Sequence, residues 1–229
     1  MSKENYTISK NNVLIHRDKT KRAKYMTQNL ILASTSSYRA ALLAQLGVSF
    51  DQIDPRYDEA PLSEEEPYDM AARLAKGKAL SGSNQHASQT KGTSNSIIIG
   101  SDQVAHLNGR VFGKPGNFER AQFQLASCAG QWVRFTTAVC LANTKGEILS
   151  EGVENYDIKY RPLSEDEIEC YLRADMPYDC AGSIKAEGLG ITIIDEGRGK
   201  DINTLYGLPL ILLSKMLRTE GYNLSNNIN

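Results

Sequence analysis

Two carboxylates and three cations stand in this chain where core packing alone would not put them. Glu59 lies in Tyr57-Asp58-Glu59-Ala60-Pro61, and Asp102 follows the apolar run Ile97 to Gly100, at the end of a buried-type strand where open α/β sheets bind ligands. Lys78 belongs to Leu74-Ala75-Lys76-Gly77-Lys78-Ala79, at the end of a helical pattern, and Lys114 is held between Gly113 and Pro115. Arg39 opens a second helical pattern behind Ser34-Thr35-Ser36-Ser37-Tyr38, where an apolar run stops at small hydroxyl residues. There the free N–H groups of Ser36, Ser37 and Tyr38 and the helix dipole favour an anion, and the arginine fork suits phosphate oxygens. Together the five charges fit hydrolysis of a polyphosphate. Two carboxylates can hold a divalent ion, or one can hold it while the other activates water, and the cations neutralise the transferring and leaving phosphates. Taken singly, each segment also reads as ordinary structure: a Ser-capped helix, an acid pair in a turn, lysines complementing a helix end, an exposed turn. Neither Gly-x-x-x-x-Gly-Lys-Ser/Thr nor Gly-x-Gly-x-x-Gly occurs, so a P-loop kinase and a Rossmann dehydrogenase are not supported.

The elements that must position these residues alternate between strand and helix. Strand signals fall at Leu30 to Ala33, Phe50 to Ile53, Ile97 to Gly100, Val133 to Leu141, Val153 to Tyr160 and Gly190 to Ile194. Helical patterns cover Ser37 to Leu46 with Gly47 as the stop, Pro67 to Leu80, Phe118 to Ala126, Glu165 to Ala174 behind the cap Ser164, and Leu210 to Glu220. Asn108-Gly109 and Thr144-Lys145-Gly146 are hairpin turns. The alternation predicts an α/β fold with a mixed sheet and flanking helices. Ser81 to Ser96, rich in Ser, Gln, Asn and Gly, is the longest expected loop.

Charge and composition exclude several classes. Residues 1–28 carry seven Lys/Arg against two Asp/Glu, so the rest holds 19 bases and 25 acids, a net charge of −6. A body of that sign has no global field for nucleic acid, and any polyanion must be gripped by a local cluster. Residues 1–28 read as a flexible polar arm, 29–222 as the catalytic domain and 223–229 as a flexible tail. The four cysteines form no Cys-x-x-Cys pair and read as reduced thiols of a cytoplasmic protein. No apolar run reaches the roughly 18 to 20 residues that span a bilayer, so no membrane partner is expected.

The ordered motifs LILASTSSYR (30–39), YDEAP (57–61), RLAKGKA (73–79), IIIGSDQV (97–104), FGKP (112–115), CAGQWVRFTTAV (128–139), CAGSIKAEGLG (180–190) and NTLYGLPL (203–210) are similar to those of the Maf family. These septum-formation-inhibitor-like proteins are nucleoside triphosphate pyrophosphatases. The resemblance covers Leu30 to about Gly221. It implies two lobes around a long cleft, similar to the inosine triphosphatase architecture, often in a homodimer. It implies attack of water that splits a nucleotide between its α and β phosphates, with Mg²⁺ or Mn²⁺. Matched by motif, Asp102 is the proton acceptor, and Ser34, Arg39, Glu59, Lys78 and Lys114 are the polar cleft set that meets the phosphates, with Glu59 and Asp102 as the candidate metal ligands. The chain departs from the family start Ser-Pro-Arg-Arg with Ser36-Ser37-Tyr38-Arg39-Ala40. The aromatic Tyr38, together with Gln103 and Glu187, matches the branch that acts on 7-methyl-GTP. Methylation at N7 makes the guanine ring cationic, and Tyr38 and Glu187 offer it an aromatic face and a carboxylate. A dTTP/UTP pyrophosphatase of the same family and a nucleotide-binding regulator of septum formation without turnover are the alternatives.

Overall fold

Period-two alternation builds the sheet. In β1 (Asn29–Ala33) Leu30 and Leu32 enter one core cluster while Ile31 and Ala33 enter another, and β3 (Ser96–Leu107) repeats this with Ile97 and Ile99 against Ile98. Burial on both faces explains why these strands read as near-continuous apolar runs. The computed structural model describes residues 28–90 and 95–224; the expected arm, Gln28 apart, and residues 225–229 of the expected tail lie outside them.

The remaining elements are α1 (Ser37–Ala44), β2 (Phe50–Ile53), α2 (Pro67–Thr90), β4 (Arg110–Phe112), α3 (Phe118–Cys128), β5 (Trp132–Asn143), β6 (Ile148–Tyr160), α4 (Glu165–Asp175), β7 (Ile194–Gly199) and α5 (Leu210–Thr219). They form one mixed seven-stranded sheet in the order β2-β1-β3-β5-β6-β7, with β4 paired to β3. The β1 pairings with β2 and β3 are parallel and the others antiparallel. Around one half, α1 and α5 cover one face through Leu42, Leu43, Leu213 and Leu217, and α2 covers the other through Ala71, Ala75 and Ala79. Around the other half, α3 and α4 pack Leu125, Ile168 and Leu172 on Val133, Phe135, Ile158 and Tyr160. The long strands β3, β5 and β6 thus join two lobes, as expected.

One edge of β3 is left open between the lobes. β1 pairs with it only as far as Leu32 opposite Ile99, and β4 takes up the same edge at Phe112 opposite Ala105. Residues 100–104 have a strand partner only on the β5 side. Both β1 and β4 run toward this gap and end there, so their C-terminal ends deliver loops to it from opposite directions.

Three expectations are corrected. Asp102 is not at the end of its strand, because β3 runs on to Leu107 with β5 beside it throughout. Ser81 to Thr90 is helix rather than loop, so Lys76 and Lys78 sit within α2 and not at its end. Tertiary hydrogen bonds explain the extension: Ser81 Oγ and Gln85 Nε2 donate to Pro55 O, and Ser83 Oγ donates to Asn143 O. They override the weak helix propensity of the segment. Gly190 to Ile193 is not strand: the N–H groups of Gly188 and Gly190 both donate to Lys185 O at 3.0 Å, which folds the chain into a turn. The strand starts at Ile194 and carries the charged Asp195, Glu196 and Arg198 on a sheet edge, where charge opposes edge-to-edge association.

Candidate active site

The gap in the sheet opens into a cleft of about 800 Å³, and all nine residues singled out in the sequence line it: Ser34, Tyr38, Arg39, Glu59, Lys78, Asp102, Gln103, Lys114 and Glu187. Close backbone approach sets its floor. A Cβ on Gly100 would lie 2.2 Å from Ala75 O and 2.6 Å from Ala79 N, so only glycine lets α2 rest on β3 here. That contact brings the buried Lys78 to Asp102 across the helix–sheet interface. Gly77 acts similarly on the other side of the helix, where an added Cβ would meet the Tyr57 ring at 2.1 Å. Tyr57 packed there leads the chain on to Glu59. Lys76, by contrast, faces away and pairs with Glu151 at 3.3 Å.

Lys78 Nζ lies 2.6 Å from Asp102 Oδ1 and 2.6 Å from Glu59 Oε1. Lys78 and Asp102 are buried, while the Glu59 side chain is 48% exposed. Partial burial opposes ionisation of Glu59, but the hydrogen bond and charge of Lys78, then the charges of Lys114 and Arg39, outweigh it and hold the carboxyl below its usual range. Lys78 Nζ donates to Asp102 through Oδ1.

The β1–α1 loop supplies the opposite wall. Ser36 caps α1 by accepting from Arg39 N at 3.3 Å, and Ser34 Oγ accepts from Ser36 N at 3.2 Å. One of the three amides expected to meet an anion is therefore taken up within the loop. The Arg39 guanidinium is aimed by two bonds, Nε to Gly207 O at 2.9 Å and Nη1 to Ser34 Oγ at 3.4 Å. Gln103, the expected specificity residue, donates from Nε2 to Thr137 Oγ1 and to the carbonyls of Thr204 and Leu205 at 3.1, 2.7 and 3.0 Å. It fixes the loop that carries Tyr206 and Gly207.

At the other end of the cleft the charge reverses. Tyr38 is pushed up to about 12 by burial and then by the negative fields of Cys180, Asp179, Glu187 and Asp175. Glu187 is exposed as a residue, yet its half-enclosed carboxyl is raised by burial first and then by Asp175 and Asp179, against the pull of Lys185. Burial and the Glu187 charge also raise Tyr206. Asp179, Tyr206 and Arg56 line the cleft as well and were missed in the sequence. Tyr206 sits inside the motif Asn203 to Leu210 and Asp179 directly precedes Cys180 to Gly190, so adjacency to a motif was the available signal.

Among the described residues no three His, Cys, Asp or Glu side chains gather as a metal site. Glu59 and Asp102 converge on the Lys78 ammonium, 2.6 Å from each, so a Mg²⁺-type ion, which takes one or two carboxylates and completes its shell with phosphate and water, would have to share these two carboxylates with Lys78.

A two-lobed mixed sheet, a cleft at its interrupted edge and this ordered charge set define an α/β protein built to grip a polyphosphate. The Maf-like protein family matches residues 29–220, and the chain belongs to it. It is similar to the 7-methyl-GTP pyrophosphatase of Idiomarina loihiensis, with 44% identity over 199 residues, 86% of this chain and 98% of that one. The 7-methyl-GTP pyrophosphatase of Nitrosococcus oceani is 45% identical over 194 residues, 84% of this chain and 94% of that one. A nucleoside-triphosphatase described as a dITP/XTP pyrophosphatase, from Mycobacterium abscessus, aligns over 59% of this chain and 76% of its own at 17% identity with a TM-score of 0.34, too distant to argue from.

Proposed function

We propose that this chain hydrolyses 7-methyl-GTP between its α and β phosphates, giving 7-methyl-GMP and pyrophosphate. The opposed polarity of the cleft carries this reading. Arg39, Lys78 and Lys114 stand around Glu59, at the end where a polyphosphate would lie, while Tyr38, Tyr206, Glu187 and Asp179 stand where the base would lie. A neutral base gains little from two carboxylates, whereas a ring with a formal positive charge gains from both and from an aromatic face. The two relatives of 44% and 45% identity support the same substrate.

In this reading Asp102 accepts the proton of the attacking water as its oxygen bonds to the α-phosphorus. The Pα–O–Pβ link breaks, and Lys78, Arg39 and Lys114 neutralise the departing oxygens. A divalent ion held by Glu59 and Asp102 would supply further charge neutralisation at the phosphates. The same reading places the protein in the cytoplasm, in keeping with free thiols at Cys128, Cys140, Cys170 and Cys180, and makes it a homodimer. Among the described residues no helix is long and apolar enough to cross a membrane.

Turnover of a panel of plain and methylated nucleoside triphosphates, with Mg²⁺ or Mn²⁺ and detection of pyrophosphate, tests the proposal. The expected result is the highest kcat/KM for 7-methyl-GTP and loss of turnover on chelation. A higher kcat/KM for dTTP or UTP overturns the substrate, and binding without pyrophosphate release overturns the enzyme. Light scattering of the purified protein tests the dimer.

A further inference from the structure

Beside the phosphate end of the cleft, a separate groove of about 360 Å³ lies between β4 and α3. Arg110, Lys114 and Arg120 line it against a single carboxylate, Glu119. Among the described residues none of these three cations has an ion-pair partner, although Arg73, Arg134, Arg161, Arg173 and Arg198 are all paired with carboxylates. Three cations thus face one cavity with a single carboxylate among its lining, in a body of net charge −6. The Arg110 guanidinium is held between two rings, 5.3 Å from the Phe112 centroid and 5.1 Å from that of Phe123, which is itself 58% exposed. Stacking fixes the plane of the guanidinium and leaves its N–H edge free for an anion. Phe112 and Lys114 line both this groove and the cleft, so the two cavities share a wall at the phosphate end.

We propose that this groove is a second anion subsite, taking a di- or polyphosphate group that has passed Lys114. The proposal rests on the reading of the cleft as a pyrophosphatase site. Two sources share this chemistry. One is the distal part of a dinucleoside polyphosphate: water bonds to the α-phosphorus beside the 7-methylguanosine, the Pα–O–Pβ link breaks, the water proton goes to Asp102, and the leaving group is a nucleoside diphosphate. The other is pyrophosphate already released from 7-methyl-GTP.

The test compares wild type with the double variant Arg110→Gln/Arg120→Gln. It measures turnover of 7-methyl-GTP, turnover of 7-methylguanosine joined 5′ to 5′ through a triphosphate to guanosine, and inhibition by pyrophosphate. Both substitutions lie outside the cleft, so kcat/KM for 7-methyl-GTP should stay within about twofold. Loss of two charge-assisted contacts should lower kcat/KM for the dinucleotide about tenfold or more, or raise the inhibition constant of pyrophosphate by a similar factor. The first result assigns the groove to a longer substrate and the second to the departing product. No change in either arm overturns the subsite. If wild type fails to hydrolyse 7-methyl-GTP, the pyrophosphatase reading falls, and calorimetric titration of both proteins with pyrophosphate decides the groove: equal affinity overturns it.

Discussion

Replacing Lys78 by methionine removes the ammonium that bridges Asp102 and Glu59, at 2.6 Å from each, while keeping most of the buried volume. The magnitude follows from exposure. The Lys78 and Asp102 side chains are 5% and 9% exposed, so the variant strands a carboxylate in a poorly solvated place, which costs about 3–5 kcal/mol. Glu59 is half in water and adds little. At about 2–4 °C per kcal/mol for a domain of this size, Tm should fall by about 6–20 °C at pH 8.

The cost should also depend on pH in a definite direction. The folded-state pKa of Glu59 is depressed, chiefly by Lys78 acting against burial, so its contribution to stability is complete above the unfolded value and is lost as pH falls through the folded one. Without Lys78 that depression shrinks, and Glu59 takes up its proton at higher pH than in the wild type. The Tm difference between variant and wild type should therefore be widest near pH 8 and narrow toward about pH 4.5. Thermal unfolding followed by circular dichroism across that range measures it. A variant melting within about 2 °C of wild type at pH 8, or a difference independent of pH, refutes the account of Lys78 as the keystone of a buried charge cluster.

Asp102→Asn should lower kcat by about 10²–10⁴, because an amide keeps the shape but cannot accept a proton; a near-normal rate in a folded variant removes Asp102 from the chemistry. Glu187→Gln should narrow the kcat/KM gap between 7-methyl-GTP and GTP. Since burial raises the Glu187 pKa, ionised Glu187 weakens the fold as pH rises through that value, so the same variant should melt higher than wild type at pH 8 and no higher in acid. Gly100→Ala should cost about 1–3 kcal/mol or more by driving a methyl group into Ala75 O, and should lower kcat by shifting α2 and Lys78, as paired melts and rates will show. Deleting residues 1–25, a stretch of polar and basic sequence, should leave Tm and turnover unchanged; a lower Tm overturns that expectation.

The sequence was legible where local chemistry decides the structure. Asn108 and Gly109 both take positive φ, as their turn requires, and Ser164 caps α4 through a reciprocal bond with Glu167. It misled where distant partners decide. Nothing between Ser81 and Thr90 favours helix strongly, and the carbonyls that hold it belong to Pro55 and Asn143. Asp102 looked like the end of a strand because Gly100 and Ser101 interrupt the apolar run. Gly100 is instead the contact point for α2, and Ser101 Oγ is satisfied by Gly207 O at 3.2 Å.

The same distinction explains why the phosphate end of the cleft was easier to find than the base end. Its residues come from within β3, from α1 and α2 and from the loops after β2 and β4, and each lies in a short motif of the sequence. The base end is assembled from single residues: Tyr38 follows a helix cap, Asp179 and Glu187 sit in the turns after α4, and Tyr206 sits in a loop pinned by Gln103. No spacing rule connects them, and only the fold brings their charges near enough for Asp179 and Glu187 to raise the Tyr38 hydroxyl. Gln103, matched in the sequence to substrate choice, contributes through carbonyl bonds to the Tyr206 loop. Its replacement by alanine should therefore loosen Tyr206 and reduce discrimination by methylation, even though its amide is already committed to the protein.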